Sequence, residues 1–205
     1  MAGQSGTYRG LSAEERAAGR RAQLLEATLA VWADQGDARI TMTRICAEAG
    51  LTERYFYESF AHLDEALTAV MDAIAVEIET ASQDAADRVG EDPAARVRAS
   101  VHAFVELVTA DPRKGRVALI ESVGRPTQRA RRTQLLRHFA RRAAEEVRAL
   151  YSLTTWSERE AELTGLLFIG GMAELVTAWL DGSLEATPAE LVEAATAMFV
   201  GGRTG

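Results

Sequence analysis

A single cysteine, Cys46, leaves the chain no internal disulfide, and a buried, inert thiol is the expected state for it. The three histidines are well separated, so no metal constellation is legible and neither a metal nor a cofactor is expected. No Gly-rich phosphate loop, nucleophile elbow or pair of catalytic residues occurs, which argues against an enzyme. No segment reads as apolar enough to span a bilayer, no secretory h-region follows the arm at residues 1–10, and Ala2 rules out a myristoylation signal. A cytoplasmic protein without a membrane partner is therefore expected. Strand-like alternation and internal repeats are missing as well. What remains is 47% hydrophobic and 26% charged, ordinary for a globular protein, and the fold class expected is all-α.

The stretch from Thr41 to Phe60 carries the most information. Ile45 and Ala49 share one face of a helix capped by Thr41, and Gly50 supplies a left-handed C-cap at which the backbone can turn. Leu51 then plugs the angle between helices. Thr52 caps a second helix, its hydroxyl accepting from an orphan amide, and Phe56 and Phe60 anchor that helix inward. Its other face carries Arg54 and Glu58, flanked by Tyr55 and Tyr57. An arginine and two tyrosines facing water suit the major groove, which admits a helix and offers base edges to such groups. The alternative is an αα-corner whose aromatics pack inward. The segment before it favours DNA: Ser12 to Trp32 reads as a helix opened by a Ser12–Glu15 capping box, with Ala22, Leu25, Leu29 and Trp32 on one stripe, ending at Gly36. Together these make a three-helix module in which the first helix braces the other two.

Through Thr41-Met42-Thr43-Arg44-Ile45-Cys46-Ala47-Glu48-Ala49-Gly50-Leu51-Thr52 and Tyr55-Phe56-Tyr57-Glu58-Ser59-Phe60, the chain resembles the TetR (tetracycline-repressor) family of transcriptional regulators. The resemblance is specific over the first third. Later it rests on length, helical layout and the Ala178-Trp179-Leu180-Asp181-Gly182 helix ending. It implies that Thr41, Thr43 and Tyr57 hold backbone phosphates, with Arg44 beside them, while Thr52, Glu53, Arg54 and Tyr55 meet bases, Arg54 first as a guanine contact. Glu53 is also placed to tether Arg54. The chain departs from the family at Leu63, where a phosphate-binding lysine is usual, and at His62, where a better N-cap is usual.

A net charge of −7 runs against nucleic-acid binding. Its distribution softens the objection: through Phe60 there are seven arginines and eight acids, so about −6 lies in the remainder. A near-neutral head on an acidic body fits specific binding with weak non-specific affinity. Arg9, Arg16, Arg20 and Arg21 are candidates for phosphate or minor-groove contact, the last three equally for a salt-bridged helix face.

Three units are expected: an arm at 1–10, a DNA-binding module at 11–60 and an effector-binding and dimerisation domain at 61–205. Apolar periodicity and caps predict helices over Leu63–Val89, Pro93–Ala110, Pro112–Val123, Thr127–Tyr151, Ser157–Leu180 and Pro188–Val200. The last two offer a dimerisation surface in Leu163, Leu166, Leu167, Gly170, Met172 and Trp179, with Leu191, Ala194, Ala195, Met198 and Phe199. Gly170 and Gly171 suggest a close approach or a bend. A two-fold four-helix interface would set two heads on a palindromic operator in double-stranded DNA.

The resemblance further implies a small-molecule effector among the central helices, which releases DNA by favouring another state. Candidate lining residues are Phe104, Leu107, Val108, Val117, Ile120, Phe139 and Phe168, with polar partners in His102, Glu121 and His138; an apolar or amphipathic effector fits them best. Repression is the default role. The competing reading is a helical ligand-binding or adaptor protein that no longer reads DNA.

Overall fold

The computed structural model describes residues 12–150 and 157–201, and among these the regular structure is helical throughout. The head comprises α1 (Ala13–Gln35), α2 (Met42–Ala49) and α3 (Glu53–Ser59). Ser12 and Glu15 close the expected capping box on α1, each side chain taking the other's backbone N–H. Gly50 ends α2 at φ 64°, a left-handed position that favours glycine, and its N–H reaches back to Ala47 O. Leu51 packs onto the head core, and Phe56 and Phe60 are buried with ring centroids 5.6 Å apart. On α1 the stripe is shifted: Leu24, Leu29 and Trp32 are buried, whereas Ala22 faces out.

Six further helices build the body: α4 (Leu63–Arg88), α5 (Pro93–Ala110), α6 (Pro112–Gly115), α7 (Pro126–Leu150), α8 (Glu158–Leu180) and α9 (Pro188–Gly201). His62 does cap α4. Its Nδ1 accepts from Glu65 N at 3.1 Å, with imidazole in place of the usual hydroxyl, while the Glu65 carboxylate takes the N–H of Ala61, just before the cap. Leu63 packs against the head core. The helix expected over Pro112–Val123 is not continuous. After α6 the backbone widens into a π-helical turn (Arg116–Ile120) and tightens into a 3₁₀ turn (Glu121–Val123). The extra residue per turn rotates successive side chains toward different neighbours. Val117 joins the head core, Ala118 touches both cores, and Leu119 joins the body core.

Two cores result. The first gathers Trp32, Ile45, Phe56 and Phe60 with Leu67, Met71 and Ile74 of α4, so α4 is rooted in the head. The second joins Val101, Val105 and Val108 of α5 to Phe168 and Val176 of α8 and to Leu191 and Phe199 of α9. Helices α4 and α7 run side by side in the same direction, pinned by Gln128 to Asp64 O, Arg131 to Asp72 and His138 to Glu79. At the α7–α8 crossing Gly165 lies against the backbone of Ala140.

One expectation fails on composition. Helix α8 is long and apolar enough to cross a membrane by those two measures. Its apolar residues divide between the body core, through Phe168, Met172 and Val176, and an exposed stripe, while Glu158, Glu160, Glu162 and Glu174 face out.

Candidate functional site

The head presents one outward face. Arg54 has 84% of its side chain exposed and is tethered by Glu58, one turn on, at 3.0 Å. Such an exposed i,i+4 pair contributes a few tenths of a kcal/mol, so a base edge can displace it at small cost. Glu53 does not tether Arg54 as expected. It accepts the Thr43 hydroxyl at 3.4 Å, a latch between α2 and α3. Tyr57 is exposed, its ring edge-on to Phe56, while Tyr55 is half-buried beneath the Arg20 guanidinium at 4.5 Å. Thr41 caps α2 by accepting from Arg44 N at 3.3 Å, which leaves its O–H proton free to donate outward. Thr52 departs from expectation, since its side chain makes no capping bond and stands exposed.

Three other head cations are engaged internally. Arg44 donates to Arg39 O at 2.9 Å and to Gln35, bracing the α1–α2 connection. Arg20 also holds Glu58, and Arg21 stacks on Phe60. Arg9 lies outside the described residues. Burial pushes the Cys46 thiol up from its ordinary range, which keeps it protonated and unreactive.

Within the body a cavity of about 240 Å³ opens between α4, α5, α7, α8 and α9. Phe104, Phe139 and Phe168 line it, as expected, together with Val97, Leu135, Leu136, Ile169 and Met172. The other seven predicted ligand residues lie elsewhere. Val108 is sealed in the body core and Val117 in the head core. His102 and Leu107 face an outer groove on α5, and Ile120 is outside the cavity wall. His138 turns to Glu79 at 3.2 Å, and Glu121 serves the head–body joint. The spacing rule identified apolar helix faces but not which face each neighbour covers. Arg96, Arg132 and Arg142, which also line the cavity, were missed. Arg132 had a visible signal, a charge inside the apolar stripe Leu135, Leu136 and Phe139.

The joint couples the two regions. Glu121 accepts from Asp37 N at 3.2 Å and pairs with Arg116 at 3.0 Å. Arg125 clasps Asp37 through Nε at 2.7 Å and reaches Asp64, at the start of α4, at 3.4 Å. Asp37 belongs to the α1–α2 connection, and Leu119, two residues before Glu121, lines the cavity. Two contacts of charged side chains, Glu121 to Asp37 N and Arg125 to Asp37, thus connect the segment after the π turn to the head.

On α8, Leu163, Leu166 and Leu167 are exposed, Leu167 at 69%, with Met198 of α9 at 56%. Gly170 shares this surface, and a Cβ there would meet nothing within 4 Å. Of the remaining residues expected there, Ala194 is exposed and the others point inward. Leu191, Ala195 and Phe199 are buried in the body core, Phe199 against Phe168 at 4.3 Å, and Trp179 donates to Ala186 O at 3.0 Å. Amphipathic helices have two apolar margins, and these residues lie on the one that the protomer itself covers.

No family model matches the sequence, and no curated protein matches it. Solved structures do. A TetR-like transcriptional regulator from Rhodococcus sp. RHA1 has a TM-score of 0.71 at 18% identity, covering 96% of this chain and 100% of that one. The fatty acid degradation regulator FadR from Bacillus halodurans has a TM-score of 0.74 at 17% identity, over 90% of this chain and 96% of that one. FadR from Bacillus subtilis, solved in complex with stearoyl-CoA, likewise gives 0.74 at 17% identity, over 88% and 98%. At these identities the likeness establishes the fold, which is that of the TetR-family transcriptional regulators.

Proposed function

We propose that this protein is a TetR-family transcriptional regulator, a repressor that binds a palindromic operator as a homodimer and is released by a small apolar or amphipathic effector. The observation that carries this reading is a three-helix head with Arg54 and Tyr57 facing outward, joined through the Asp37–Arg125 and Asp37–Glu121 contacts to an apolar cavity in the same chain. Residues 11–60 act as the DNA-binding module and 61–205 as the effector and dimerisation domain. The similarity to FadR from Bacillus subtilis, whose structure holds stearoyl-CoA, supports a ligand with a long apolar part. The exposed Leu163–Leu167 stripe supports pairing of two subunits through α8 and α9. The protein acts in the cytoplasm, without catalysis or cofactor.

Selection of bound duplexes from a random DNA pool tests the reading directly. Recovery of a palindromic motif is expected; failure at every salt concentration, with the protein folded, favours a ligand-binding protein that no longer reads DNA. Against the recovered operator, Arg54→Ala should cost about 1 to 3 kcal/mol of preference at one base-pair position. Tyr57→Phe should instead weaken all sequences alike, because a phosphate contact carries no base information. Unchanged binding in both variants would refute these assignments.

Release follows from linkage: an effector that fits one arrangement of the π turn shifts the heads only by its differential affinity. Arg125→Ala removes the charged clasp on Asp37 and Asp64. Gel-shift titration should then find operator affinity largely retained while the effector's weakening of it shrinks by roughly 5-fold or more, the size of a typical coupling. Full release in that variant would exclude Arg125 from the coupling.

A further inference from the structure

Arg132 of α7 stands alone among the cavity's cations. It occupies the inward stripe of α7 with Leu135, Leu136 and Phe139, and all four line the cavity. Its Nε is buried without a hydrogen-bond acceptor, and no described carboxylate pairs with its guanidinium. The cavity's other arginines are engaged: Arg96 with Glu146 and Asp87, Arg142 with Glu79 and Glu145. Gln128, one turn before Arg132, spends its amide nitrogen on Asp64 O and Thr68 and leaves its own Oε1 unpaired, so it does not satisfy Arg132.

A guanidinium stays charged under all ordinary conditions, and leaving its buried Nε–H unpaired is costly. An oxyanion from outside the chain removes that cost. A cation is repelled, a neutral alcohol leaves the charge uncompensated, and a phosphate dianion brings more charge than one guanidinium in an apolar wall can desolvate. A carboxylate matches both the single charge and the planar, two-oxygen geometry.

We propose that the cavity takes an amphipathic carboxylate, its oxygens accepting from the Arg132 guanidinium and its apolar body lying among Phe104, Leu136, Phe139, Phe168 and Met172. The proposal rests on the reading of this cavity as the effector site and adds the chemical class. The carboxylate also binds near the head, because Gln128 and Thr127 of α7 hold Asp64 at the start of α4, the residue that Arg125 grips.

The test is calorimetric titration of the full chain with decanoate, 1-decanol and decylamine, which share one apolar body and differ in the head group. Decanoate should bind about ten- to a hundredfold more tightly than the other two, the range of a hydrogen bond to a charged group. In Arg132→Met that advantage should vanish while 1-decanol binding stays within a few-fold; Arg132→Lys should restore part of it. The ranking on the unaltered protein needs no variant, so poor folding of Arg132→Met leaves the question decidable. Equal binding of decanoate and 1-decanol, or an unchanged preference in Arg132→Met, overturns the carboxylate assignment and leaves the cavity reading standing. If none of the three binds, both fall.

Discussion

In the proposed dimer, Leu167→Glu should separate the subunits and abolish operator binding while the protomer stays folded. Leu167 is the most exposed of the large apolar residues described and contributes nothing to either core, so its loss leaves the monomer's packing intact. In a two-fold interface each substitution counts twice. Two leucines returned to water cost about 3 to 6 kcal/mol, which raises the dimer dissociation constant by roughly 10² to 10⁴ before any penalty for desolvating the carboxylates. Sedimentation at micromolar concentration should find monomers with unchanged far-ultraviolet dichroism. Operator affinity should fall in parallel, since two tethered heads bind with an avidity that one head lacks. A Leu167→Glu protein that remains dimeric would move the interface elsewhere.

Gly165→Ala should be the most damaging single-methyl change in the body. A Cβ there would collide with the carbonyl oxygen of Ala140 and stand 2.9 Å from its carbon, and the obstruction is backbone rather than a flexible side-chain end. Helices α7 and α8 would have to separate, a cost of about 1 to 3 kcal/mol, or roughly 2 to 12 °C in the melting temperature. The same substitution at Gly19, exposed within α1 with nothing within 4 Å of a Cβ, should instead stabilise by about 0.5 to 1 kcal/mol through helix propensity alone. Thermal unfolding of the two variants separates the effects by sign; a stabilised Gly165→Ala would mean the crossing is looser than described.

The glycines illustrate what sequence reasoning could and could not see. Gly50 was legible because its role is local: a helix must stop, and a left-handed cap stops it within three residues. Gly165 and Gly170 look alike in the chain, each a glycine inside an apolar helix, yet one touches a neighbour's backbone and the other open space. That distinction depends on where α7 crosses α8, a contact between residues 25 positions apart. The same limit explains the binding-site list. Phe104, Phe139 and Phe168 reach the cavity, while Val108 and Val117 sit on faces that other helices already cover.

By itself the sequence determined the helices of the head and, except after Pro112, those of the body, because caps, prolines, apolar spacing and the Gly50 turn act over one or two helical turns and each is written in adjacent residues. Helix bounds and the exposed Arg54 and Tyr57 follow from those signals. Tertiary structure alone decided how the helices share their apolar surface: that Leu191 and Phe199 close the body core while Leu163 and Leu167 remain outside, that the segment after Pro112 widens into a π turn serving two cores, and that Arg132 is left without a carboxylate. An amphipathic stripe specifies burial against something; only the packed neighbours specify against what.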